Sequence, residues 1–135
     1  MSVWRDTPVL RGEHVTLRPL AEGDRDALVA AAADGDITGL FFTNVSALRE
    51  PDAFIAAMFR ERDYGRAMPF VVETPDGRVV GSTRLLRMNE QHRRVEIGGP
   101  FYARSVQRTG VNTEAKKLLL AHAFDVLGCN VVQIR

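Results

Sequence analysis

Apolar and polar residues alternate over residues 14–20 (HVTLRPL). Val15 and Leu17 fall on one face and Thr16 and Arg18 on the other, the pattern of a half-buried strand, and Pro19 ends it. The period then lengthens. Asp24 can cap a helix through the alanine-rich run to about Asp34, with Gly35 as its stop. Residues 39–45 (GLFFTNV) read as a loop, and Pro51 suits the first turn of a second helix. Its apolar stripe is Phe54, Ile55, Met58 and Phe59, and it ends near Gly65. Alternation returns in residues 69–74 (PFVVET) and 78–88 (RVVGSTRLLRM), which Pro75-Asp76-Gly77 joins into a hairpin. Residues 93–102 (RRVEIGGPFY) add a third strand. Gly98-Gly99-Pro100 inside it predicts a bulge, or a stretch that stops pairing on one side. The strongest helix covers residues 112–128, and residues 130–135 (NVVQIR) form a last strand. Strand, two helices, three strands, helix, strand is the order of an α/β layered fold with a mixed sheet.

A chain of 135 residues suits one domain, 1–135, able to bury a core without disulfides. Its one cysteine, Cys129, rules out an internal disulfide and any CxxC metal or redox pair. His92 and His122 have no second histidine at ligand spacing, so no metal is expected. A net charge of +1 argues against nucleic acid or an anionic membrane as partner, so any anion site must be local. The N-terminal residues lack a signal-peptide core and no apolar run could span a bilayer, which makes a cytoplasmic protein the expectation.

Residues 107–112 (QRTGVN) place Gly110 directly before the strongest helix, with Thr109 and Asn112 as capping side chains and Arg108 beside them. Unpaired N–H groups and the positive dipole end at such a start can cradle a phosphate, and glycine lets it approach. The helix's apolar face is Ala115, Leu119, Leu120, Ala123, Phe124, Val126 and Leu127. Lys116 falls within that arc, near the helix start, where positive charge opposes the dipole. Two readings stand: an anion nearby, or a lysine snorkelling to solvent or to Glu114.

The strand RRVEIGG, the turn QRTGVN, the helix start NTEAK and the strand NVVQIR together resemble the GNAT acyltransferase superfamily. They are most similar to the branch that contains the ribosomal-protein N-terminal acetyltransferases, as is the opening HVTLRPL. Gln107, Gly110 and Asn112 stand at the marked positions of the family's pyrophosphate motif, where Asn112 replaces the usual small residue. The resemblance implies acetyl-CoA in a gap where strands 93–102 and 130–135 splay apart. Backbone groups of Phe101, Tyr102 and Ala103 would meet its pantetheine arm, and Gln107, Arg108, Thr109, Gly110, Val111, Asn112 and Thr113 its pyrophosphate. An amine acceptor, a protein N-terminus or a small molecule, would attack the thioester, which needs a base and an oxyanion donor.

Glu96 matches a carboxylate that often serves as base in this family; otherwise it belongs to a solvated strand face. Ser82 can line the same cleft or satisfy a strand face, and Tyr102 can meet pantetheine or end a strand. Phe41 and Phe42 can wall the acceptor pocket or plug the core. His122 reads as a surface residue and Cys129 as structural. Two departures from the family pattern stand out. Pro100 has no N–H to give an oxyanion, unless a neighbour such as Phe101 does. The chain also ends at Arg135, without the family's last helix and two strands, so an open apolar edge at 130–135 predicts self-association, such as a homodimer. The leading expectation is an N-acetyltransferase. The rivals are a truncated, inactive GNAT-like module that binds CoA weakly or oligomerises, and a nucleotide binder using QRTGVN. The second rival lacks a phosphate-loop lysine–serine pair.

Overall fold

A computed structural model describes residues 2–33 and 50–134. Gly35, the loop 39–45 with Phe41 and Phe42, and Arg135 lie outside the described residues. The elements are β1 (Leu10–Arg11), β2 (Thr16–Pro19), α1 (Arg25–Ala33), α2 (Pro51–Asp63), β3 (Met68–Glu73), β4 (Val79–Asn89), β5 (Arg94–Tyr102), α3 (Val111–Ala121) and β6 (Val131–Ile134). The strands form one sheet in chain order, antiparallel except for the parallel pair β5–β6. The mixed sheet and its flanking helices match the sequence pattern. β1 does not appear in that pattern, because two residues carry no period.

The sheet is buried on both faces. One carries Leu17, Met68, Phe70, Leu85, Val95 and Ile97 against the α3 stripe of Val111, Ala115 and Leu119. The other carries Val71 and Phe101 against Leu28 and Ala32 of α1 and Met58 of α2. Trp4 enters the first core from a single 3-10 turn, Val3–Arg5.

Two expectations about helices need correction. Asp24 does not cap α1 forward. Its carboxylate accepts from the Ala21 N–H at 2.7 Å and takes a two-pronged bond from Arg18, at 2.9 and 2.7 Å. Arg18 also reaches Glu73 at 2.8 Å, so one guanidinium ties β2 to β3 and to the start of α1. The second correction concerns the end of α3. After Ala121 the backbone widens into a π turn, His122–Val126, in which the Leu127 N–H donates to the His122 carbonyl five residues back. The extra residue rotates the later side chains about the helix axis by about 100°. His122, three residues after Leu119 and on the same face, is buried rather than on the surface, while past it Phe124 and Val126, assigned to the apolar face, are about half exposed.

The Arg18–Asp24 pair makes a prediction. Burial, the largest influence on the Asp24 carboxyl, pushes its pKa up, but the bonds from Arg18 and the Ala21 N–H outweigh it and hold it below the usual carboxylate range. Arg18→Met should cost about 2 kcal/mol of stability at neutral pH, by leaving a buried carboxylate without its cation. The contribution exists above the unfolded carboxyl pKa of about 4 and is lost as pH falls through the lower folded value. Denaturant midpoints of the two proteins should therefore differ at pH 7 and converge in acid.

Candidate functional site

β5 and β6 pair from Arg94↔Val131 to Ile97↔Ile134, the last described residue of β6, and β5 runs on to Tyr102 through a bulge. Gly99 and Pro100 together stand opposite the single residue Thr83 of β4, a one-residue bulge where the glycines and proline predict it. Past the bulge, the Ala103 N–H donates to the Val80 carbonyl at 2.7 Å. Antiparallel alternation then turns the Phe101 peptide groups toward β4 as well, and the Tyr102 peptide groups away from it. Of Phe101, Tyr102 and Ala103, the resemblance's candidates for pantetheine, only Tyr102 turns its backbone N–H away from β4. Pro100 offers none, and Phe101 does not replace it. The side chains divide too. Phe101 and Ala103 pack toward α1, and Tyr102 enters the core under α3, where burial pushes its phenol pKa up.

The loop to α3 starts from this strand end. The Gln107 side-chain amide donates to the Tyr102 carbonyl at 3.1 Å, so Gln107 acts as a strut between strand and loop. Arg108 and Gly110 both have positive φ, 65° and 90°. Gly110 is the residue before the first helical turn, and no side chain caps that turn. This corrects the capping roles of Thr109 and Asn112. The Thr109 hydroxyl donates back to the Val106 carbonyl instead, and Asn112 is exposed. Nothing lies within 4 Å of where a Gly110 side chain would begin, so the space before the first-turn N–H groups of Val111, Asn112 and Thr113 is open. Val111 itself is buried and anchors the helix start.

Glu114 fixes this helix end. Its carboxylate accepts from the backbone N–H groups of His14, at 2.6 Å, and Val15, at 2.8 Å, in the β1–β2 turn. Gly12 sits against the same carboxylate, where any side chain would collide. Desolvation opposes the charge on Glu114, yet the N–H donors of His14, Val15 and Glu13 hold its pKa below the usual range. Glu114 is thus engaged with the turn, away from the role of partner for the half-exposed Lys116.

Glu96 lies on the opposite face of β5, beyond the bulge. It is buried, not a solvated strand residue. Together with Arg87, Arg94 and Gln133 it lines a cleft of about 120 Å³. The Arg87 Nε stands 3.3 Å from the Glu96 carboxylate. Arg87 arrives there through a second bulge, in which Arg87 and Met88 stand opposite Val95 and Arg87 takes a φ of 47°. Ser82 shares this face, but its hydroxyl donates to the Phe70 carbonyl at 3.1 Å, which makes it a structural residue. The sequence pattern did not single out Arg84 and Arg87. Their signal was charge in the middle of an otherwise apolar strand. Cys129 is buried in the core, as expected of a structural residue. Among the described residues, no group of histidine, cysteine and acidic side chains could hold a metal ion, and no helix is long and apolar enough to cross a membrane.

A family model described as an acetyltransferase (GNAT) domain matches residues 14–135. The structure resembles a GCN5-related N-acetyltransferase from Brucella melitensis, with a TM-score of 0.71 and 28% identity over 92% of this chain and 57% of that one. It also resembles Mycobacterium smegmatis RimJ in complex with CoA-disulfide (TM-score 0.77, 23% identity, 96% of this chain and 68% of that one). A third likeness is a chimera of the spermidine N-acetyltransferase SpeG from Vibrio cholerae and hSSAT (TM-score 0.74, 20% identity, 90% and 70%). The last two, at their low identities, share the fold alone. The chain spans a little over half the length of the Brucella protein. No curated protein sequence matches it.

The Glu114 bonds predict a local effect. Glu114→Ala should cost about 1 kcal/mol and speed amide exchange in the β1–β2 turn and the first turn of α3, with the rest of the sheet unchanged. The bonds form above the unfolded glutamate pKa and fail as pH drops through the lower folded value, so the two exchange profiles should merge in acid.

Proposed function

The chain belongs to the GNAT acetyltransferase family, and on that premise we propose that it moves an acetyl group from acetyl-CoA to an amine acceptor. The acceptor is a peptide N-terminus or a small molecule, and the setting is the cytoplasm. One observation carries the reading. The bulged end of β5 leads, through the Gln107 strut, into an uncapped helix start at a positive-φ glycine. That arrangement suits a long ligand with an extended arm and a phosphate end. A backbone N–H is turned away from β4 at Tyr102, and the N–H groups of the uncapped first turn and a helix dipole stand beside open space at Gly110.

Bound there, acetyl-CoA supplies a thioester whose acetyl carbon is bonded by the amine as the carbon–sulfur bond breaks, and CoA leaves with a proton taken from water. The chain's own part is to orient and to take a proton. Glu96 is the candidate base, directly or through one water, because it is the buried carboxylate of the cleft on β5. The Tyr102 N–H is the candidate donor to the carbonyl oxygen, in place of the one Pro100 lacks. Half-exposed Val131 and Ile134 on β6 support the further reading that copies of the chain associate.

Two variants separate binding from chemistry. Gly110→Val places a branched side chain at a left-handed position and into the open space, and should weaken CoA binding at least about tenfold in calorimetry. Glu96→Gln should leave CoA affinity within about twofold and lower kcat by about a hundredfold or more. Unchanged affinity in the first removes residues 107–113 from the site, and unchanged turnover in the second removes Glu96 as base. CoA binding without transfer to any amine would favour an inactive CoA-binding module.

A further inference from the structure

His122 is a buried titratable group that the transfer chemistry does not use. It stands where α3 passes into the π turn His122–Val126, and only 6% of its surface is exposed. Its Nε2 is closed to water, with no partner among the described residues. Burial pushes its pKa down, and the charge of Asp6, just past the N-terminal turn that carries Trp4, opposes this in part. The other charges on the surrounding elements lie in solvent. Asp125 on its own turn and Glu90 and Arg93 between β4 and β5 are exposed, and Arg5 is bonded to the Asp63 carbonyl.

The segment after His122 is held by backbone bonds in series. The Leu127 N–H donates to the His122 carbonyl at 3.0 Å, the Cys129 N–H to the Ala123 carbonyl at 2.9 Å, and the Asn130 N–H to the Arg93 carbonyl at 2.8 Å. Ala123, Leu127 and Cys129 share a core cluster with Trp4. Together these contacts seat the turn that leads into β6, and β6 carries Gln133, one wall of the Glu96 cleft.

We propose that His122 is a pH-sensitive latch on this segment. Neutral, it keeps the end of α3 and the turn into β6 closed on the sheet. Protonated, it leaves the core on the side of Asp6, and the segment opens locally while the rest of the sheet stays folded. The direction follows from linkage. Above the free imidazole pKa of about 6.5 the ring is neutral in both forms, and pH has no effect. Below it the open form takes up a proton that the closed form refuses. Opening therefore grows as pH falls, until pH passes the lower value of the closed form. The Asp24 and Glu114 carboxylates, whose values lie below the usual range, lose their bonds only in stronger acid, so the two responses separate.

Amide exchange measured by NMR from pH 7.5 to 5.5 tests this, with rates converted to protection factors so that the intrinsic pH dependence of exchange drops out. Protection at Leu127, Cys129 and Asn130 should fall by up to about tenfold across that range, while β3 and the middle of β4 keep theirs. His122→Gln, which cannot titrate, should hold its protection constant. If that variant does not fold, His122→Phe reads the same outcome. No loss in the natural protein, a loss spread evenly over the sheet, or a loss that persists without the imidazole would overturn the proposal.

Discussion

The bulge at Gly99 and Pro100 sets the course of β5 toward the loop and α3, and the candidate site is arranged around it. A strand in mid-sheet normally spends its N–H and C=O groups on both neighbours. Gly99 and Pro100 interrupt this. The proline has no N–H to pair, and the extra residue bends the strand. On the β4 side the ladder resumes, with the Ala103 N–H on Val80, so the strand stays anchored along one edge. On the other side the Tyr102 carbonyl takes the Gln107 side-chain amide, which joins the strand end to the loop.

The helix that follows this strand is held from behind. Val111, Ala115 and Leu119 lock α3 onto the sheet, and Glu114 takes two backbone N–H groups of the β1–β2 turn. With its stripe buried and its side anchored, the first turn cannot fray to satisfy its own N–H groups. Gly110, which has no side chain to cap them, leaves them to solvent or to an anion. The π turn near the other end of α3 changes which residues the helix buries without moving this start.

Much of this was legible in the sequence. The hairpin, the bulge at Gly98-Gly99-Pro100, the glycine before α3 and the buried stripe of α2 each follow from local rules of period and turn chemistry. What was not legible depended on partners distant in sequence. Asp24 looked like a helix cap because its pairing with Arg18 arises only once β2 and α1 meet. His122 looked exposed because a polar side chain at the edge of the stripe was assigned to solvent, and Val126 looked buried because the helical wheel assumed one period, which the π turn breaks. Glu114 looked like a partner for Lys116 because the turn that binds it lies 99 and 100 residues away. Arg84 and Arg87 drew no attention because a charge in a strand has no period of its own. The second bulge brings Arg87 to Glu96, and Arg84 reaches Met58 of α2, contacts that exist only once the elements meet.

The central claim is that the bulged end of β5 and the start of α3 form one binding surface for an acetyl-CoA-like ligand. The most direct measurement is a backbone amide NMR titration of the chain with CoA. The account predicts shifts that concentrate at Tyr102 and at Gly110 to Thr113, that saturate together with a single dissociation constant, and that spare β1 and α2. Shifts confined to other surfaces, or two sets that saturate separately, would contradict it.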